Sequence, residues 1–129
     1  MKNILVVDDE KIVLDVLQRF ISRLGYNTVV TDSWESALVR FSKERYDLVL
    51  MDVLMPGKNG FEVAEEMRRM RPDQKIVMLS GFGNDAEIVG NEQEGTDLHF
   101  ILSKPLSFEG IKSVLTMIFG ETMNVVGEI

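Results

Sequence analysis

The chain has 129 residues and a mass of 14.6 kDa, which predicts one domain built around a single hydrophobic core. Hydrophobic residues make up 45% of the sequence and charged residues 27%, which is typical of globular proteins and excludes a disordered chain. The net charge of −7 argues against direct nucleic-acid binding, and the absence of a membrane-length apolar run or a secretory signal predicts a cytoplasmic protein.

Five short apolar runs predict five β-strands. The run Leu48–Met51 is apolar at every position, which is typical of a strand that is buried on both faces of a parallel sheet. The other predicted strands are Asn3–Val7, Asn27–Thr31, Lys75–Leu79 and His99–Leu102.

Segments with helical periodicity separate these strands and predict crossover helices. Gly25 stands as the C′ residue of the first helix, and Asp32 with Glu35 has the spacing of a capping box at the start of the second. The predicted helices are Ile12–Leu24, a second that ends near Arg45, Phe61–Met70, a short or irregular one in 84–98, and a last one capped by Ser107.

Strands that alternate with helices predict an α/β fold, a doubly wound five-stranded parallel sheet with helices on both faces. The expected strand order is the flavodoxin-like 2-1-3-4-5. We expect one domain over residues 1–120, followed by a C-terminal tail over residues 121–129 that has no clear periodicity.

Polar residues follow the predicted strands at their carboxyl ends. They are Asp8 and Asp9 after the first strand, Asp52 after the third, Ser80 after the fourth and Lys104 after the fifth. In a parallel sheet these ends share one edge, so the side chains should form one pocket. Converging carboxylates repel one another unless a cation joins them, and an all-oxygen cluster favours Mg²⁺.

Such a pocket is suited to phosphoryl chemistry. Mg²⁺ and Lys104 would balance the charge of a phosphoryl group, the Ser80 hydroxyl would donate a hydrogen bond to it, and Asp52 would be the nucleophile that forms an aspartyl phosphate. Taken one at a time, the same residues have structural alternatives: helix N-terminal acids for Asp8, Asp9 and Glu10, an Asx turn for Asp52, a helix cap for Ser80 and a solvated cation for Lys104. Their occurrence at successive strand ends favours the functional interpretation.

Four motifs, VVDDE, LMDVLMPGKNG, MLSG and SKP, stand in this order at strand ends. As a set they resemble the receiver domain of two-component response regulators, and the resemblance covers residues 2–119. It implies that Asp52 accepts a phosphoryl group from a histidine kinase or phosphotransfer protein. It also implies that the face formed by the fourth helix and fifth strand signals to a downstream effector or output domain, and that the chain is not an enzyme beyond promoting its own phosphorylation and dephosphorylation.

The resemblance assigns a role to each site residue. It implies that Asp9 and Asp52 bind Mg²⁺, that Asp8 assists through a water molecule, and that the Leu54 backbone carbonyl is the third protein ligand. Ser80 and Lys104 match the hydroxyl residue and the lysine that contact the phosphoryl group in this family.

The chain differs from typical receivers at the position of the aromatic switch and at the two positions that orient the hydrolytic water. Receivers usually have an aromatic residue three positions before the lysine, whereas this chain has Ile101 there and Phe100 one place earlier. The residues that orient the hydrolytic water in the family correspond to Leu54 and Phe82, which cannot hydrogen-bond a water molecule. The sequence therefore predicts a long-lived phosphorylated state and an unusual aromatic switch.

Functions of other classes fit the sequence less well. A haloacid-dehalogenase-type phosphatase needs a second acid two residues after the nucleophile, where this chain has Leu54. A flavodoxin-like cofactor carrier needs a phosphate loop after the first strand, where three acids would repel a phosphate. His99, the only histidine, has no other nitrogen ligands nearby, which favours a surface role. A non-phosphorylated pseudo-receiver that acts only as an interaction module remains the alternative.

Overall fold

The computed structural model of the protein describes residues 1–80, 100–104 and 106–120. Within these ranges every predicted element is present, with ends that differ from the prediction by one or two residues. In chain order the elements are β1 (Asn3–Val7), α1 (Lys11–Arg23), β2 (Asn27–Thr31), α2 (Trp34–Lys43), β3 (Leu48–Asp52), β4 (Leu54–Met55), β5 (Lys58–Asn59), α3 (Gly60–Met70), β6 (Ile76–Ser80), β7 (Phe100–Ser103) and α4 (Phe108–Phe119).

Five of the strands form one parallel sheet in the order β2-β1-β3-β6-β7. Counted without the short strands β4 and β5, this is the predicted order 2-1-3-4-5, so the doubly wound α/β fold is confirmed. The strand order reverses at β1, because the chain continues to β2 on one side of it and to β3 on the other. Ligands bind open α/β sheets at such a reversal, on the edge formed by the carboxyl ends of the strands, which we call the carboxyl edge.

The sheet is covered on both faces, as the apolar runs predict. All four residues of the Leu48–Met51 run are fully buried. Alternate strand residues enter two separate core layers: Val49 and Met51 pack with α2 and α3, whereas Leu48 and Leu50 pack with α1 and α4. This explains why the run has no polar residue, since each side chain enters one of two dry layers.

The start of α2 differs from the predicted capping box. Ser33, and not Asp32, is the N-cap residue, and its Oγ accepts a hydrogen bond from the Ser36 N–H at 3.2 Å. Both residue types are good N-caps, so the sequence alone does not separate them. The helix ends at Lys43 rather than near Arg45, because the backbone of Glu44 is extended.

A hairpin of β4 and β5, which no sequence pattern predicts, lies between Asp52 and α3. Its two-residue turn is Pro56–Gly57, and the φ of 87° at Gly57 is the left-handed conformation that a type II turn requires at this position. The Lys58 ammonium lies 4.5 Å from the centre of the Trp34 ring and forms an ion pair with Glu66. The hairpin is thereby attached to both α2 and α3.

The remaining predictions about structure fall outside the described residues. These are the fourth helix in 84–98, the positions of Phe82, His99 and Pro105, and the tail over 121–129. Among the helices that the structure does describe, none combines the length and the apolar character needed to cross a membrane.

Candidate functional site

Asp8 and Asp52 meet at the carboxyl edge because β1 and β3 are parallel neighbours. Val7 is in register with Met51, so the residue that follows each of them lies at the same level of the sheet. Asp8 is fully buried and Asp52 is 4% exposed, whereas Asp9 is exposed. The two buried carboxylates are therefore held by the sheet itself.

Together with Asp9 they form a compact acidic cluster. Each of the three residues offers one carboxylate oxygen, and these oxygens lie within 4.8 Å of one another. At this separation like charges repel strongly, especially where burial lowers the effective dielectric constant. The cluster therefore needs a proton or a cation.

Lys104 supplies one positive charge to the cluster. Its Nζ lies 2.8 Å from Asp8 Oδ2, 3.0 Å from Glu10 Oε1 and 3.3 Å from Asp52 Oδ1. Burial by itself lowers the pKa of Lys104, but the contacts with Asp8 and then Glu10 outweigh it and raise this pKa above its ordinary value. The lysine therefore stays charged at every physiological pH.

Glu10 is a site residue, although its place in the sequence predicts only a helix N-terminal acid. It is the N-cap of α1, yet its side chain makes no capping hydrogen bond and contacts Lys104 instead. The sequence contains one sign of this role, since Glu10 directly follows Asp9. That Lys104 lies opposite Glu10 becomes visible only once β7 is placed in the sheet.

Ser80 completes the carboxyl edge on the other side of Asp52. It is the last residue of β6, the neighbour of β3, and is 3% exposed. Its carbonyl oxygen accepts a hydrogen bond from the Lys104 N–H at 2.7 Å, which extends the pairing of β6 with β7. Asp52, at the end of β3, therefore lies between the ends of β1 and β6.

Gly60 allows the chain after Asp52 to fold back over the strand end. Its N–H donates to the Val53 carbonyl oxygen at 2.8 Å, and a Cβ at this position would stand 2.1 Å from the Asp52 carbonyl oxygen. Only glycine permits so close an approach. The same fold-back places Leu54 at the start of β4, with its side chain 47% exposed.

The positions of Phe100 and Ile101 are described for the backbone only. Phe100 is in register with Val77, and pairing continues without a bulge to Ser103. The pairing therefore contains no bulge that would bring Phe100 to the face of the sheet on which Ile101 stands. The predicted role of either residue in switching stays a prediction.

The protonation of Asp52 is strongly perturbed. Burial and, after it, the negative charge of Asp8 raise the pKa of Asp52 from 3.8 to about 7, and Lys104 only partly opposes this increase. A carboxylate with this pKa is poorly stabilised as an anion, so a bound divalent cation would be favoured.

The residues present fit Mg²⁺. Asp8 Oδ1 accepts a hydrogen bond from the Glu10 N–H at 2.9 Å, which orients the carboxylate. Asp8 Oδ2 is buried and lies 2.8 Å from the Lys104 ammonium. Carboxylate oxygens of three residues that lie this close together are suited to a hard cation with oxygen ligands.

The perturbed pKa predicts how stability depends on pH in the absence of metal. Because the folded state holds the Asp52 proton more tightly than the unfolded state, stability should decrease as the pH rises from about 4 to about 7. Asp52→Asn removes this effect, so it should stabilise the metal-free protein by up to about 4 kcal/mol at pH 8 and by little at pH 4. Urea denaturation in EDTA at the two pH values measures the difference.

The exposed Asp15, on α1, provides a control. Asp15→Asn should leave stability nearly unchanged at both pH values. Equal effects of Asp52→Asn at pH 4 and pH 8 would contradict the expectation.

Comparisons with known proteins show which family the chain matches. The family described as "Response regulator receiver domain" matches residues 4–116. Among curated proteins, the alkaline phosphatase synthesis transcriptional regulatory protein PhoP of Bacillus subtilis is 33% identical over 106 residues, which are 82% of this chain and 43% of that protein. The probable transcriptional regulator ycf27 of Cyanophora paradoxa is 33% identical over 123 residues, 95% of this chain and 50% of that protein. The chain thus spans half or less of these relatives.

Solved structures show the same fold. The response regulator TrrA of Thermotoga maritima, solved in complex with Mg²⁺ and BeF, has a TM-score of 0.80 and 32% identity, and the match covers 92% of this chain and 99% of that one. The chemotaxis protein CheY4 of Vibrio cholerae has a TM-score of 0.83 over 92% of this chain and 98% of that one, but its 24% identity supports the fold alone.

The family match covers most of the chain, and the structure brings the acids, the hydroxyl residue and the lysine of the four motifs to one edge of a five-stranded parallel sheet. The phosphoacceptor role fits this arrangement, and no comparison favours a pseudo-receiver. The chain belongs to the response regulator receiver domain family.

Proposed function

We propose that this receiver accepts a phosphoryl group on Asp52 from a histidine kinase or phosphotransfer protein, with Mg²⁺ bound, and signals to a downstream effector or output domain. The observation that supports this best is the buried Asp52 carboxylate, which lies beside Asp8 and 3.3 Å from the Lys104 ammonium. A structural carboxylate would not need a pocket of two further acids. The only reactions proposed are phosphorylation and dephosphorylation of the chain itself.

In the proposed reaction an Asp52 oxygen attacks the phosphorus of the donor. The new O–P bond forms as the N–P bond of the donor phosphohistidine breaks, and the bonding electrons leave with the imidazole nitrogen. The sheet fixes the carboxylate at the strand end, which reduces the entropy that would be lost in aligning it with the donor. Asp52 must be ionised to attack, and a bound divalent cation would favour its ionised form.

We assign the metal ligands to Asp9, Asp52 and the Leu54 backbone carbonyl, with Asp8 acting through a water molecule. When bound, Mg²⁺ would neutralise the acids and stabilise the charge on the transferring phosphoryl oxygens. The proximity of the three carboxylates and the Mg²⁺ complex of the relative TrrA support this assignment.

Lys104 and Ser80 are proposed to bind the phosphoryl group after transfer. Lys104 already contacts Asp52, so a small movement of its flexible side chain would bring the ammonium to a phosphoryl oxygen. Its backbone is joined to Ser80 through a hydrogen bond, so binding at either residue would affect the other. Signalling is proposed to use the predicted helix in 84–98, which lies outside the described residues, and the strand β7, where Ile101 or Phe100 would be the switch residue.

Three further expectations accompany the proposal. The domain is expected to occupy residues 1–120, to act in the cytoplasm and to make no direct contact with nucleic acid. The family match ends at residue 116, which is compatible with the first expectation. Relatives named as transcriptional regulators are at least twice as long as the matched segment, so DNA binding there does not transfer to this domain.

The phosphodonor is proposed to dock on the start of α1. Ile12 is 77% exposed, which is unusual for so large an apolar side chain. It lines a cleft of about 150 Å³ together with Val13, Val16, Leu106 and Lys104. Because Lys104 also contacts Asp52, an apolar helix of the donor that packs in this cleft would place its phosphohistidine next to the nucleophile.

We therefore expect Ile12→Gln to slow phosphotransfer from a cognate histidine kinase about tenfold, which corresponds to roughly 1.4 kcal/mol of lost contact. Phosphorylation by acetyl phosphate, which needs no protein docking, should be unchanged. Transfer of radiolabelled phosphate from purified, autophosphorylated kinases of the source organism measures the first rate and tests the proposed function itself.

The matched control is Val39→Gln on α2, since Val39 is also an exposed apolar helix residue, with 53% exposure. It should slow neither reaction. Docking at α1 is wrong if Val39→Gln and Ile12→Gln have equal effects, or if Ile12→Gln slows both donors alike. No label transfer from any kinase would contradict the proposed function.

A further inference from the structure

A second cleft lies at the opposite edge of the sheet, where the strands begin. Its volume is about 410 Å³, which is in the range of small-molecule binding sites. Its lining includes Asn3 of β1, Asp47 directly before β3 and Lys75 directly before β6. Since these strands have five residues each, the cleft is roughly 16 Å from the Asp52 site.

The charge of this cleft is opposite to that of the whole chain. Although the net charge of the protein is −7, the described residues that line the cleft include four cationic side chains and two carboxylates. The cationic residues are Lys2, Arg45, Arg71 and Lys75, and the acidic residues are Asp47 and Asp73. Asp47 Oδ2 already accepts a hydrogen bond from the Asn3 N–H at 2.7 Å, so the charge of this carboxylate is partly compensated within the fold.

Arg71 lines this cleft and is positioned by an aromatic ring. Its guanidinium carbon lies 4.2 Å from the centre of the Phe41 ring, which is a cation–π contact that favours this position of the side chain. A guanidinium that lines a cleft is a suitable partner for a planar or tetrahedral oxyanion.

Two further cations share an aromatic wall of the cleft. Lys2 Nζ and Lys75 Nζ lie 5.0 Å and 6.0 Å from the centre of the Phe119 ring, and Tyr46 also lines the cleft. Arg45 is exposed, and no ion pair involves it among the residues described. Positive charge is thus present on several sides of one volume, and this arrangement favours a ligand with more than one negative charge.

We propose that this cleft binds a small phosphate-bearing molecule, either an inorganic diphosphate or a nucleotide. Arg71 would contact the phosphate through paired donors, and the two lysines and Arg45 would balance its remaining charge. The proposal does not depend on phosphorylation of Asp52, so its failure would leave the proposed function untouched.

Isothermal titration of the full chain with pyrophosphate and with ADP, in EDTA at physiological salt, tests the proposal. EDTA removes metal-bridged binding at the carboxyl edge, where the acids repel anions. We expect saturable binding with a dissociation constant below about 1 mM for at least one probe. Tighter binding of ADP would identify a nucleotide site, whereas equal binding would identify a site for the diphosphate group alone.

Variants locate the binding. Arg71→Gln and Arg45→Gln should each weaken binding by about fivefold or more, since each removes a charge from the cleft. Arg71→Gln could weaken binding by disturbing the fold, since Arg71 packs against Phe41. Arg45 is exposed, so Arg45→Gln tests the charge of the cleft without that disturbance. The control is Arg69→Gln, which makes the same change on an exposed residue of α3 that pairs with Glu65 outside the cleft. The proposal is overturned if neither probe saturates up to about 5 mM, or if Arg69→Gln weakens binding as much as the cleft variants do.

Discussion

Chelation of Mg²⁺ by EDTA is expected to slow phosphorylation of the protein by acetyl phosphate at least about 100-fold. The reason is electrostatic. Asp8, Asp9 and Asp52 place three carboxylate oxygens within 4.8 Å of one another, and Lys104 balances only one of the three charges. Without a divalent cation, an incoming dianionic phosphoryl group is repelled and Asp52 retains its proton up to about pH 7. Intact-mass analysis over a time course gives both rates.

A ligand variant tests the metal site without chelation. Asp9 is exposed, so Asp9→Asn should preserve the fold while raising the Mg²⁺ concentration needed for half-maximal phosphorylation about tenfold. Asp15→Asn changes the same functional group on an exposed turn of α1 and should have no effect. Undiminished phosphorylation in EDTA would show that the acidic cluster does not act through a metal.

Introduction of an amide at position 54 is expected to shorten the lifetime of the phosphorylated state by one to two decades, which corresponds to roughly 1.4 to 2.8 kcal/mol. Hydrolysis needs a water molecule in line with the Asp52 O–P bond and a group that orients it. Leu54 lies two residues beyond Asp52 and is 47% exposed at the start of β4, so it can cover the phosphoryl group but cannot orient water. We therefore expect a slow wild-type reaction and a faster one in Leu54→Asn.

Leu54→Ala separates shielding from orientation. It removes most of the side chain without adding a hydrogen-bonding group, so it should accelerate hydrolysis less than Leu54→Asn does. Loss of phosphate from the purified protein in Mg²⁺, in the absence of kinase, measures all three rates. The interpretation is wrong if Leu54→Asn is no faster than wild type, or if the wild type loses its phosphate within seconds.

The fold could be predicted from the sequence because its main signals are local and repeated. The unbroken apolar run Leu48–Met51 requires a strand with two dry faces, and the structure has a core layer on each side of it. Once the strands are parallel, Asp8 and Asp52 must meet at one edge, since each follows a strand end. The acidic cluster therefore follows from strand order alone.

Other features depend on contacts that the sequence does not encode locally. The hairpin of β4 and β5 has two residues in each strand, too few for an alternating pattern, and it is held by Lys58 against Trp34 and Glu66. The choice of Ser33 over Asp32 as the helix cap depends on where the backbone enters α2. The contact of Glu10 with Lys104 joins residues 94 positions apart, so it is visible only in the folded chain.

The identity of the phosphoacceptor is tested most directly by peptide mapping after incubation with acetyl phosphate and Mg²⁺. The protein should gain a single phosphoryl group, and fragmentation should place it on the peptide that contains Asp52. Asp52→Asn, which keeps the size of the side chain and should not weaken the fold, should gain none. Phosphorylation of Asp52→Asn to the wild-type extent, or a phosphoryl group on any other residue of the wild type, would contradict the assignment of Asp52 as the phosphoacceptor.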